Sequence, residues 1–292
     1  MLMAFALVFL VLFTILFSFF SPWWFTPLAS NWGSIDLTLI ITFVITGIVF
    51  TAVMLFTAYV VFKYRHRDGL KADYEPENKK IEAWLTGVTG IAIAIMLAPG
   101  LIVWADYIKV PDNAVEFEAI GQQWSWTFRL PGEDGEFGEV DHLQISYDNP
   151  FGLKLDDPAG RDDLIIEDSE VHLLLDQPVK AMLRSVDVLH DFFVPQFRAK
   201  MDLVPGISTY FWLTPTRTGT FEILCAELCG IGHSDMRGLV TVATQEDYDA
   251  WLAGLPIFGE TEIVQKYDAE AKVTAMMALE TPSKKQADPE AH

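Results

Sequence analysis

The chain has 292 residues with 40 acidic against 20 basic side chains, a net charge of −20, yet 51% of it is hydrophobic. Acidity of that size excludes a nucleic-acid partner, and the length leaves room for two domains. Position resolves the contradiction: residues 1–110 hold seven acids and seven bases, so the other 33 acids and 13 bases put the whole deficit in residues 111–292. Such a half draws cationic partners, with a surface kept acidic only for solubility as the plainer alternative.

In chain order, the pattern gives a hydrophobic N-terminal segment and linker (1–35), a transmembrane helical hairpin (36–106), an all-β domain (107–256) and a polar acidic tail (257–292). Met1 to Phe20 is almost wholly apolar and suits a signal peptide or a third spanning helix. It lacks a basic n-region, and Ala29-Ser30 is a poor cleavage site. Ser21-Pro-Trp-Trp-Phe25 reads as an interfacial aromatic belt, which favours a retained span.

Residues 37–62 and 83–104 each meet the ~20-residue length that crosses ~30 Å of hydrocarbon. The basic cluster Lys63, Arg65, Arg67, Lys71, Lys79 and Lys80 lies between them, and no Lys or Arg precedes Lys63. By the positive-inside rule that loop is cytoplasmic, and everything after residue 105 lies outside. The expected location is therefore a bacterial inner membrane, with the C-terminal domain on its periplasmic face. Glu82 opens the second span, where a carboxylate stabilises the helix dipole by ~0.3–1 kcal/mol.

After Pro111 short alternating runs predict strands at Val115–Ile120, Gln123–Leu130, Leu143–Tyr147, Val171–Leu175, Ala181–Val186, Thr209–Leu213, Gly219–Leu224 and Leu239–Val242. Many short strands at regular spacing predict a Greek-key sandwich or barrel. His142 and His172 have no ligand companions and are read as structural. A short helix follows from about residue 246, and the tail beyond Pro256 is polar, expected to be partly helical and partly disordered.

Only two cysteines occur, in Cys225-Ala-Glu227-Leu-Cys229-Gly-Ile-Gly-His233-Ser-Asp-Met236. Thiolate, imidazole and thioether together favour copper over hard cations. A mononuclear electron-transfer site uses two His, one Cys and an axial Met, so there is one Cys too many for it. His190 offers a second imidazole, and two thiolates between two imidazoles suit a pair of coppers. Gly230 and Gly232 allow a tight turn between ligands. A disulfide or half of a Cys2His2 zinc site are the alternatives, and neither explains Met236.

The motif, with His190 in Val-Leu-His-Asp-Phe-Phe-Val-Pro, resembles subunit II of the haem-copper cytochrome c oxidases, over about residues 36–255. The resemblance implies a cupredoxin-like Greek-key barrel carrying a binuclear copper centre (CuA), its ligands on loops at one end. Cys225 and Cys229 would bridge, His190 and Met236 would complete one copper, and His233 with the Glu227 carbonyl the other. The Glu227 side chain would face a magnesium or manganese ion at the interface with the catalytic subunit, which alone carries haem. Glu82, just before Trp84, would lie at the cytoplasmic mouth of a proton path. The proline usual a few residues later is replaced here by Gly-Val-Thr-Gly. Trp124, in Gly121-Gln-Gln-Trp-Ser-Trp-Thr-Phe128, would be the surface contact for cytochrome c. Gln122 and Ser125 depart from the usual His and aromatic. Alternation places Trp124, Trp126 and Phe128 on one face, so a strand end or bulge must expose Trp124. An N-terminal extra helix also departs from the usual two-helix subunit.

The function implied is electron input to a respiratory terminal oxidase: from cytochrome c through CuA to haem in subunit I, driving oxygen reduction and proton pumping in a lipid membrane. A CuA-type electron-input subunit of a nitric oxide reductase is the alternative. A membrane-anchored copper-delivery protein is a weaker one, since a six-ligand site would hold copper too firmly. No Cys-x-x-Cys-His occurs, so no c-type haem is expected on this chain.

Overall fold

The computed structural model describes residues 1–21, 26–71 and 76–280, with side chains described as far as residue 276. Most of the aromatic belt expected at 21–25 thus lies outside the described residues. The chain divides into two units, Met1–Val110 with Pro195–Arg198, and Pro111–Val194 with Ala199–His292.

The first unit contains α1 (Leu2–Phe20), α2 (Gly33–Lys63) and α3 (Lys79–Ile108), with mean hydropathies of 2.8, 2.7 and 2.2. At 1.5 Å per residue, the 31 residues of α2 and 30 of α3 exceed the hydrocarbon thickness. Both begin about a turn before the apolar runs, because the flanking residues continue the backbone ladder into the polar boundary. Threonines are tolerated on α2 because their hydroxyls donate back one turn. Thr38 donates to the Ser34 carbonyl (2.8 Å), Thr42 to Thr38 (2.9 Å) and Thr46 to Thr42 (2.8 Å). α1 packs against α2, with Ala4 and Val11 buried. Asn78 caps α3 by accepting from the Ile81 amide (3.2 Å), and Glu82 accepts from the Asn78 amide (3.4 Å). Glu82 is exposed in the first turn, where it reciprocates the cap.

The second unit is two five-stranded sheets. One has the order β3–β2–β1–β5–β8, from β1 (Val115–Gln122), β2 (Ser125–Leu130), β3 (Leu164–Ile166), β5 (Val179–Ser185) and β8 (Thr209–Leu213). The other runs β4–β10–β9–β6–β7, from β4 (Glu170–Leu174), β6 (His190–Val194), β7 (Ala199–Leu203), β9 (Gly219–Cys225) and β10 (Arg237–Ala243). β1 pairs parallel to β5 and β10 parallel to β4, so the chain crosses between sheets as a Greek key must. Inward alternation buries Phe117, Trp126, Phe128, Phe192 and Phe211. Phe192 packs against Trp126 (5.5 Å) and Phe211 (5.6 Å).

The strand expected at Leu143–Tyr147 is not one: His142–Gln144 forms a 3-10 turn. Asp141 accepts from the Leu143 amide (2.9 Å), and this local hydrogen bond competes with strand pairing. His142 is exposed there, while His172 stacks flat on Trp251 (4.4 Å, 5°) of α4 (Gln245–Leu252). The segment after Pro256 begins folded. Ile257 bridges Leu164 at the edge of β3, and Phe258 and Val264 are buried with Ile120, Phe151, Leu153 and Ile165. Val264 lies in α5 (Glu262–Glu280), which Arg161 fastens by two bonds to Asp268 (2.7 and 2.8 Å).

Candidate metal centre

β6 and β9 are hydrogen-bonded neighbours, with Phe192 opposite Cys225. That register sets His190, the first residue of β6, beside Cys225, the last of β9. The loop 226–236 then doubles back. Gly230, at φ +120, makes the left-handed turn that only glycine takes readily, and the Cys225 amide donates to the Met236 carbonyl (3.3 Å). Met236 is thereby returned beside the cysteines before β10 begins.

The donors converge. Cys225 Sγ lies 3.6 Å from Cys229 Sγ, 3.8 Å from His190 Nδ1 and 3.3 Å from the Glu227 carbonyl oxygen. Cys229 Sγ lies 3.5 Å from His233 Nδ1 and 3.9 Å from Met236 Sδ. A disulfide needs ~2.05 Å, so the two thiols are free. All six positions singled out in the sequence meet at this point. Among the described residues His190, Cys225 and Cys229 have ligand atoms within 4.8 Å of one another, close enough to hold a metal ion. His190, both cysteines and Met236 are buried. Two soft thiols, two imidazoles and a thioether fit copper, and Met236 is a donor that a Cys2His2 zinc site would not require. Burial, then the neighbouring Cys225 thiol, pushes the Cys229 thiol up to about 11, so the free thiol holds its proton until a metal replaces it.

Around this cluster stand groups that the sequence reading missed. Asp187 Oδ1 accepts from His190 Nε2 (2.8 Å), leaving Nδ1 turned to the thiols. Its other oxygen accepts from the Gln123 amide (2.7 Å). Partial burial pushes the Asp187 carboxyl up, but the hydrogen bonds from His190, Gln123 and Val188 prevail and hold it below the usual range. The spacing Asp-x-x-His was the one available signal. Gln123 Nε2 donates to the Cys229 carbonyl (2.7 Å), and Trp124 Nε1 donates to the same oxygen (3.3 Å).

Trp124 occupies the second position of the two-residue turn joining β1 to β2, since Gln122 pairs with Ser125. It is therefore out of the alternation that buries Trp126 and Phe128, and its relative exposure is 42%. A strand end exposes it. Glu227 is part-exposed, with Lys200 Nζ 3.6 Å from its carboxylate. Lys200 also pairs with buried Asp191 (2.9 Å). Burial, then Asp202, pushes Asp191 up to about 7 against the pull of Lys200. Glu82 lies in the other unit.

Residues 115–243 match the family model for the periplasmic domain of cytochrome c oxidase subunit II. The alternative cytochrome c oxidase subunit 2 of Bradyrhizobium diazoefficiens is 59% identical over 239 residues, covering 82% of this chain and 86% of that one. The chain belongs to the cytochrome c oxidase subunit II family. Subunit 2 of Cereibacter sphaeroides is 30% identical over 212 residues, 68% of this chain and 69% of that one. The crystal structure of the periplasmic domain of subunit II (CoxB) of Bradyrhizobium japonicum is 24% identical, with a TM-score of 0.37, over 50% of this chain and 95% of that one. As a subunit II, this chain is a membrane-anchored, electron-input component of a terminal oxidase. Its β domain is the periplasmic copper domain of the family, and its partner is subunit I.

Proposed function

We propose that this subunit accepts electrons from a cytochrome c at Trp124 and passes them through a binuclear CuA centre to haem in subunit I, for oxygen reduction coupled to proton pumping. The observation that carries the reading is the convergence of Cys225, Cys229, His190, His233, Met236 and the Glu227 carbonyl on one buried point. Bound copper supplies reversible one-electron transfer there. Cys225, Cys229, His190, His233, Met236 and the Glu227 carbonyl would hold the copper, with the Met236 thioether as a weak, tuning donor. Asp187 orients His190, and the strands β6 and β9 with the 226–236 loop bring the donors together. Trp124, half-exposed and bonded to the Cys229 peptide, offers a π surface to the donor. The names of the relatives favour oxygen over nitric oxide.

Glu227 would give one carboxylate to a magnesium or manganese ion at the face towards subunit I, with further oxygen ligands from that subunit. By the positive-inside rule the basic cluster 63–80 supports a cytoplasmic hairpin loop, and Glu82 beside it would admit protons.

Metal analysis with electron paramagnetic resonance tests the centre. Two coppers per chain and a delocalised spectrum are expected, and Cys225→Ser or Cys229→Ser should abolish that spectrum. One copper, bound zinc or a localised mononuclear signal would sink the assignment. For the proton role, Glu82→Gln should slow turnover with the copper spectrum intact. Unchanged turnover at several pH values would leave Glu82 as a helix cap.

A further inference from the structure

Gly230 and Gly232 both lie under the Trp124 indole, but for different reasons. A Cβ at Gly230 would come 3.2 Å from Trp124 Cζ2 and 3.0 Å from Gln123 Nε2, and its backbone at φ +120 already requires glycine. Gly232 sits at φ −84 and ψ 11, a conformation open to other residues. Its restriction is wholly steric: a Cβ there would lie 2.4 Å from Trp124 Cδ2 and 2.7 Å from both Cγ and Cε3. Carbon atoms pack at ~3.5–4.0 Å, so the space that a side chain would take is filled by the ring.

We propose that Gly232 is a positioning residue for electron input: its missing side chain is the seat that lets the Trp124 indole lie against the copper loop. The seat has a polar counterpart. Trp124 Nε1 and Gln123 Nε2 share the Cys229 carbonyl, and Asp187 ties the Gln123 amide to His190. The indole is thus held between two glycines on one side and the peptide of a copper ligand at its edge. Only the remainder of the ring is left for a donor. A methyl group at 232 would force the ring outward by more than ~1 Å to recover ordinary contact. A displacement of that size breaks the 3.3 Å bond to Cys229 while leaving the outer indole surface in place. Docking would then survive while electron transfer slowed.

This inference rests on Trp124 being the electron port, and the experiment separates the two claims. Gly232→Ala, Trp124→Ala and the double variant are prepared in the intact, copper-loaded oxidase. Copper spectra, KM for reduced cytochrome c and the rate of copper reduction in stopped flow are measured. Gly232→Ala is expected to keep the wild-type copper spectrum, to slow reduction ~10-fold, equivalent to ~1.4 kcal/mol of barrier, and to change KM less than ~2-fold. In the Trp124→Ala background the same substitution should cost nothing more, because the ring it displaces is gone. A full rate in Gly232→Ala beside a slow Trp124→Ala overturns the seat and leaves the port standing. An equal loss with and without Trp124, or a copper spectrum altered in both backgrounds, also overturns it by showing that the loop moved instead of the ring. A full rate in Trp124→Ala removes the port, and the seat with it.

Discussion

Asp187 accepts from both sides of the centre, from the imidazole of His190 and from the backbone of the turn that carries Trp124. Its negative charge makes the imidazole a stronger donor and favours the more positive, oxidised state of any metal held there. Asp187→Asn keeps the shape and removes the charge, so the copper midpoint potential should rise while both coppers stay bound. A redox titration followed optically checks this, and an unchanged potential would reduce Asp187 to a spacer. At this scale the convergence of the loop's donors was legible because donor chemistry and short spacing are local: Cys225 to Met236 span a single loop. Asp187 and Gln123 were not, because their partnership joins residues 64 positions apart and exists only once β1 and β5 have paired.

Among elements, β1 and β2 carry both the turn that exposes Trp124 and a buried charge cluster. Arg129 of β2 pairs with Glu118 of β1 (2.7 Å) and with Asp163 just before β3 (3.2 Å), while Arg184 of β5 also bonds Glu118. Asp163 additionally accepts from the Gly138 amide (3.1 Å), so the cluster fastens the 131–163 excursion to the sheet. Burial pushes Asp163 up to about 7, against the attraction of Arg129 and the Gly138 hydrogen bond. A carboxyl raised in the folded state binds its proton there between the unfolded value near 3.8 and about 7. Its contribution is therefore full below the unfolded value and declines as pH rises towards 7. Asp163→Asn escapes that decline, so its destabilisation should shrink between pH 5 and pH 8. Thermal unfolding of the two proteins at both pH values checks it, and a cost unchanged between them would show the carboxylate ionised throughout. Strand alternation read the core correctly through Trp126 and Phe128 yet put Trp124 with them. A two-residue turn interrupts the period, and the letters Gln-Trp carry none of the usual turn chemistry. The same limit hid β6 and β7, whose five residues each are fixed by sheet neighbours rather than by their own pattern.

For the molecule as a whole, the separation of charge from apolarity was legible because it needs only counting along the chain. Residues 111–292 carry 33 acids against 13 bases. An acidic surface around a half-exposed aromatic steers a basic protein into place, and screening over ~8 Å at physiological ionic strength weakens that steering. Turnover with a basic cytochrome c should therefore fall as salt is raised. Rates independent of salt would leave the acidity to solubility alone.

Composition suggests that the compact fold ends at Pro256, where the polar tail begins. The chain instead sends Ile257 alongside Leu164 and buries Phe258 and Val264 against Ile120, Phe151, Leu153 and Ile165. Ile120 is one residue before Gly121, whose absent Cβ would come 3.1 Å from the His190 ring. A protease or an engineer cutting after Pro256 would strip the cover from Ile120, in the strand whose Gly121 lies against the His190 ring. Each large apolar side chain uncovered forfeits ~1.5–3 kcal/mol. What hydropathy marks as a dispensable terminus is part of the packed core beneath β1.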